Sequence, residues 1–198
     1  MRRLVLLLAG TLVFGAGDTP VCAIGGPPTS YRASDDQSPT VDAMELARDM
    51  NGAIAAACTP NCPKLALLRN ATSPGLLLIP SGATWKLVYN PKTFSQIDDQ
   101  YGDPAVVAMI SHAFGHTLDA GMPGAWPKEF STEQRADAWS GCALAQTHAS
   151  ANDIHGSLEA AKKFPPSGND SWTARVGAMR TGFLKCAGNP AAFDQAAR

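Results

Sequence analysis

From Thr40 onward the apolar residues Ala43, Ala47, Met50, Ile54 and Cys58 recur at the three-to-four-residue spacing of one helix face, with Thr40 in front of them as an N-cap residue. The spacing predicts a packed first helix. The period then changes. Pro74-Gly75 opens the apolar run Leu76 to Ile79, and Pro80-Ser81-Gly82 turns the chain. Trp85, Leu87 and Tyr89 then alternate with Lys86 and Val88, which predicts a β-hairpin. Asn90-Pro91 stops the strand and starts a helix, with Asn as cap and Pro in the first turn. Asp103-Pro104 repeats the device and starts a helix through Ala105, Val106, Met109 and Ile110. Ser131-Thr132-Glu133-Gln134 has the form of a capping box opening a third helix through Leu144. A last helix is expected from Ser171, carrying Val176, Met179 and Phe183. Residues 24–39, rich in Gly, Pro, Ser and Asp, read as a flexible lead-in, Gln146 to His155 as loop, and residues 189–198 as a C-terminal tail. The fold class expected is α+β: one mainly helical domain over residues 40–188 with a small β-hairpin or sheet.

Composition narrows the function classes. The 198 residues are 45% hydrophobic and 17% charged, enough for one core. A net charge of −1 leaves no basic excess to release counterions from nucleic acid, which is not expected as a partner. Met1-Arg2-Arg3, the apolar run Leu4 to Phe14 and the small residues around Val21-Cys22-Ala23 have the order of a signal peptide spanning residues 1–23, with cleavage after Ala23. The run is short for a bilayer, so no stable span is expected after cleavage and the product is expected to be secreted or periplasmic; a retained N-terminal anchor is the alternative. Cleavage removes Cys22 and leaves Cys58, Cys62, Cys142 and Cys186. An even count suits an oxidising compartment, and of three pairings Cys58–Cys62 with Cys142–Cys186 is favoured.

The candidate chemistry lies on two helices. His112 and His116 are four residues apart, so both imidazoles project from one helix face in metal-chelating geometry. Gly115 between them lets another helix approach closely. The next helix begins with Glu133 and Asp137, again four apart, and a carboxylate from there can complete a three-ligand zinc site with water in the fourth position. Asp137 is placed to accept the other ring N–H of a ligand histidine. Asp119 shares the helical face of His112 and His116 and is the alternative third ligand, in which case Glu133 would be free to act as a base. Two helix histidines and a carboxylate that merely complements the macrodipole are the structural alternative.

Tyr89-Asn90-Pro91, Tyr101-Gly102, the run Ser111-His112-Ala113-Phe114-Gly115-His116, and Glu133-Gln134-Arg135-Ala136-Asp137 followed by Gly141 resemble the bacterial neutral zinc metallopeptidases, of the gluzincin group that includes thermolysin. The resemblance covers roughly residues 85–142. It implies a zincin-like minimal domain whose active-site helix packs on the Glu-bearing helix. It also implies Zn²⁺ as cofactor, His112, His116 and Glu133 as ligands, Asp137 behind them, and a peptide or protein as substrate or ligand.

One residue departs from the family pattern H-E-x-x-H. Ala113 stands where the glutamate general base belongs, and alanine cannot ionise. A positioned acid or base contributes roughly 10²–10⁴-fold, so peptide hydrolysis is expected to be very slow while metal binding is spared. Three readings follow: an exported zinc-binding pseudopeptidase; an inactivated form of a peptidase with Glu at 113; or a secreted binding or scaffold domain without catalysis. His155, followed by Arg175, is faintly similar to a segment of related zinc peptidases, which implies a place for His155 near the site; an exposed loop position is the alternative. The strand Trp85 to Tyr89 is expected either to pair with extended substrate through its backbone or simply to pack its side chains in the core.

Overall fold

The structure, a computed structural model, describes residues 19–48, 62–122 and 124–198. The chain forms β1 (Cys22–Ile24), two short 3-10 turns, the helical residues 41–48 (α1), then β2 (Leu65–Arg69), β3 (Leu76–Ser81) and β4 (Thr84–Tyr89). Six further helices follow: α2 (Pro91–Tyr101), α3 (Asp103–Gly121), α4 (Thr132–Gln146), α5 (Ala151–Lys163), α6 (Trp172–Lys185) and α7 (Pro190–Ala196). This is an α+β arrangement. Among the described residues no helix is long and apolar enough to cross a membrane.

Local signals account for most boundaries. Thr40 caps α1, its Oγ1 accepting from the Ala43 amide at 3.3 Å; the remainder of the expected first helix, from Met50 to Cys58, lies outside the described residues. Asn90 Oδ1 accepts from the Lys92 amide at 3.0 Å, with Pro91 in the first turn of α2. Ser131 and Gln134 form the reciprocal capping box of α4, at 3.0 and 2.8 Å. Gly102, at φ 81°, is the residue before α3 and gives it no side-chain cap, so Asp103 is its first residue and not its cap.

The sheet has the order β1-β3-β4-β2, with β1/β3 and β3/β4 antiparallel and β2/β4 parallel. The expected hairpin is β3–β4, turned at Gly82 with φ 60°, the left-handed conformation that tight hairpin loops reserve for glycine. Leu76 and Leu78 point into the core shared with α3, while Leu77, Ile79 and Val88 are buried on the other face beneath Tyr31 and Leu68. Burial on both faces explains why β3 reads as an unbroken apolar run. β4 is an interior strand paired on both sides, so the substrate-pairing role expected for Trp85 to Tyr89 does not hold.

Three segments differ from expectation. Residues 24–39 are fastened to the sheet: Asn70 Nδ2 donates to the Arg32 carbonyl and to Asp36 Oδ1, both at 2.8 Å, and Gln37 pairs with Arg69. Residues within Gln146 to His155 are helical from Ala151, because Ser150 and Asp153 make a second capping box. The expected tail contains α7, capped by Asn189 and anchored by the fully buried Phe193, whose ring lies 5.4 Å from that of Phe183 in a tilted contact.

Helices α3, α4 and α6 pack closely because small residues line their contacts. A Cβ on Gly115 would lie 2.9 Å from Trp139 Cβ and 3.1 Å from Ala136 Cα, so α3 and α4 can meet here only with glycine. Gly141 and Gly182 bring the backbones of α4 and α6 together, a Cβ on either striking the other helix's backbone. The Cys142–Cys186 disulfide ties α4 to the end of α6. Cys62 is disulfide-bonded, and its expected partner Cys58 lies outside the described residues.

Candidate metal centre

The close α3–α4 contact sets two imidazoles opposite one carboxylate. His112 and His116 lie on α3 with ring centroids 5.2 Å apart, 3% and 6% exposed. Glu133, in the first turn of α4, places Oε2 3.2 Å from His112 Nε2 and Oε1 3.7 Å from His116 Nε2. Donor atoms bonded to one zinc ion at about 2.0–2.2 Å in a tetrahedron are separated by about 3.4 Å. The two observed separations bracket that value.

Hydrogen bonding gives a second test of fit. His112 Nε2, both ring nitrogens of His116 and Glu133 Oε2 are buried without hydrogen-bond partners, although the pairs lie within 4 Å of each other. An unsatisfied buried polar atom costs about 1–3 kcal/mol. His112 Nε2, His116 Nε2 and Glu133 Oε2 lie on one side of the rings and suit a cation placed between them, while His116 Nδ1 faces away from that point. Cys22 joins them from β1: its Sγ and the nearest ring nitrogens of His112 and His116 all lie within 4.8 Å of one another.

Behind the cluster, His112 Nδ1 is 2.9 Å from Asp137 Oδ1. Arg175 of α6 grips both oxygens of Asp137, Nε to Oδ2 at 2.8 Å and Nη2 to Oδ1 at 2.9 Å. Asp137 is fully buried and Arg175 nearly so, which makes the chain Arg175–Asp137–His112 a rigid support for the ring. On the opposite side, Gly168 packs on Glu133: a Cβ there would fall 2.6 Å from Glu133 Cγ.

The electrostatics divide the two histidines. Burial opposes a charge on His112, but Asp137 at Nδ1, with Glu133, outweighs it and holds the ring well above the ordinary histidine value. His116 is pushed down to about 4, by burial first and by the neighbouring His112 charge second, so its ring is neutral at pH 7. Burial would raise the Glu133 carboxyl, yet His112, 3.2 Å away, and the charge of His116 bring it below the usual value; Asp137 is lowered against burial by His112 and Arg175. A side chain that binds a metal must be deprotonated, and His116 and Glu133 already have that form.

Of the residues singled out in the sequence, His112, His116, Glu133 and Asp137 come together here. Asp119 and His155 do not. Asp119 accepts from Arg135 Nε at 2.8 Å, and His155 lies on α5 with Nδ1 3.0 Å from the Ala196 carbonyl. Ala113 is fully buried. Cys22, Arg175 and Gly168 were not assigned to the site from sequence. Arg175 carries a readable signal, since it shares an i, i+4, i+8 face with Met179 and Phe183, where a cation requires a buried partner. No protein-family model, no curated protein and no solved structure matches this chain.

Proposed function

We propose that this chain is an exported zinc-binding protein of the metallopeptidase type in which peptide hydrolysis has been lost, with His112, His116 and Glu133 as ligands. The observation that carries the reading is the approach of the half-buried Glu133 carboxylate on α4 to within 3.2 and 3.7 Å of two buried, orphaned ring nitrogens on α3. The residue classes suit Zn²⁺, which is bound by imidazole and carboxylate in tetrahedral sites. When bound, such an ion lowers the pKa of a coordinated water to about 7 and polarises a carbonyl.

Among the described residues, those around the centre supply binding and orientation, and none is free to carry a proton. Asp137 accepts the Nδ1 proton of His112, leaving Nε2 free to ligate. Ala113, one residue from His112, offers no group that could take a proton from water or return it to a leaving amine. The two other carboxylates acting on the rings are committed elsewhere, Asp137 to Arg175 and Asp119 to Arg135. The Cys142–Cys186 disulfide suits an oxidising compartment and supports export.

The test is metal analysis with a turnover assay. Dialysed native protein is expected to hold one zinc ion per chain, His112→Ala and Glu133→Ala to bind zinc far more weakly, and native protein to leave casein and a peptide panel uncut. Zinc-free native protein would overturn the centre, and zinc-dependent hydrolysis by native protein would overturn the loss of turnover.

A further inference from the structure

β1 is a three-residue extended segment lying between two backbone rails. On one side it pairs antiparallel with β3, Cys22 opposite Leu78, and the Val21 amide donates to the Leu78 carbonyl at 2.8 Å. On the other side the Ser167 amide donates to the Ala23 carbonyl at 3.0 Å, and the Gly25 amide to the Pro165 carbonyl at 3.4 Å. Backbone pairing of this kind is how a protein holds an extended peptide on a sheet edge. Without β1, the interior strand β3 would become that edge.

The alternation of the strand then directs its side chains. Ala23 faces the core on the far side of the sheet, whereas Cys22 and Ile24 face α3. Cys22 is 4% exposed, unpaired by any disulfide, and its sulfur lies within 4.8 Å of one ring nitrogen of His112 and one of His116. A buried cysteine is often only a small apolar side chain. Here it faces nitrogens that are themselves buried and without partners, so its position has a chemical consequence.

We propose that Cys22 is the fourth ligand of the centre, delivered by a strand that occupies the β3 edge as a bound peptide would, so that the chain carries its own ligand. The inference rests on the zinc centre proposed above. With Cys22, His112, His116 and Glu133 as donors, zinc has four protein ligands and no position left for water, the pattern of a closed site. The expected cut after Ala23 falls inside β1. It would separate Cys22 from the chain and open both the fourth position and the β3 edge.

Cobalt(II) loaded into the metal-free full chain tests this, because thiolate coordination gives a near-ultraviolet charge-transfer band that nitrogen and oxygen ligands do not. Native protein is expected to bind one cobalt ion with the band. Cys22→Ser and Cys22→Ala are expected to bind one cobalt ion without it, with zinc affinity reduced by more than the roughly 10–100-fold typical of outer-shell changes. Ethanethiol added to Cys22→Ala should restore the band saturably. One cobalt ion per native chain without the band, or a band that survives Cys22→Ser, would overturn the fourth ligand and leave the His–His–Glu centre standing. Failure of native protein to take up cobalt or zinc would overturn both.

Discussion

Gly168 lies directly against Glu133, close enough that a Cβ on the glycine would sit 2.6 Å from Glu133 Cγ. The same loop donates from Ser167 to Ala23 in β1, and its Asp170 accepts from Ser131 Oγ at 2.6 Å at the start of α4. One loop therefore braces both the carboxylate and the strand bearing Cys22. Gly168→Ala is expected to displace the Glu133 side chain and weaken zinc binding by about 10–100-fold, the range seen when groups positioning a ligand are altered. Competition with a chromophoric chelator measures this, and unchanged affinity would show that the contact does not position Glu133.

Arg175 and Asp137 form a buried ion pair, and removing one member leaves the other charge uncompensated. Arg175→Ala is expected to destabilise the fold by about 3–5 kcal/mol. Urea unfolding of the metal-free protein reads the loss without interference from zinc. A change within about 0.5 kcal/mol, the size of an ordinary surface substitution, would mean that the pair is not buried in solution.

The two histidines should titrate on opposite sides of neutrality in metal-free protein. His116 is expected to take up its proton at about 4, and His112 to lose its proton only well above the ordinary value of 6.5. The signs of their stability contributions are opposite. For His116, whose folded value is depressed, the contribution is present above 6.5 and lost as pH falls through about 4. For His112, whose folded value is raised, the contribution is present below 6.5 and lost as pH rises through the folded value. Histidine ring NMR after chelation separates the two, and a shared midpoint near 6.5 would contradict the buried geometry. Zinc must displace the His112 proton, so binding is expected to release protons and weaken as pH falls.

The Cys142–Cys186 bond closes a separation of 44 residues between α4 and the end of α6. Replacing both cysteines with alanine is expected to cost about 2–4 kcal/mol. Thermal or urea unfolding of the non-reduced proteins measures it, and an unchanged midpoint would show that the crosslink adds nothing to the packing around Gly141 and Gly182.

Ala113→Glu tests the missing base and the fourth ligand together. The glutamate alone is expected to give no turnover in the full chain, because Cys22 as the proposed fourth ligand would fill the position that water needs. Cys22→Ala with Ala113→Glu is expected to hydrolyse peptide. Equal turnover in the single and double variants would remove Cys22 from the centre, and turnover by native protein would show that a base exists elsewhere.

The elements bearing the centre were legible in the sequence because their signals are local. His112 and His116 at four-residue spacing, the Ser131–Gln134 capping box and Gly115 each act within one or two helical turns. β1 was hidden because three residues beside a leader-like run carry no periodicity of their own, and only their pairing with β3 makes them a strand. α5 was obscured by polar Gln146 to Ser150, although Ile154, Leu158 and Ala161 repeat at helical spacing behind them. The Arg175–Asp137 pair joins positions 38 residues apart; the face of α6 marks Arg175 as buried, but which carboxylate it meets depends on how α6 docks.

The central claim is that α3 and α4 hold one metal ion between them. Anomalous scattering collected from zinc-loaded crystals on both sides of the zinc absorption edge tests it most directly. A single peak is expected about 2.0–2.2 Å from His112 Nε2, His116 Nε2 and a Glu133 oxygen. A peak away from His112, His116 and Glu133, or none at a zinc concentration that saturates the protein in solution, would contradict it.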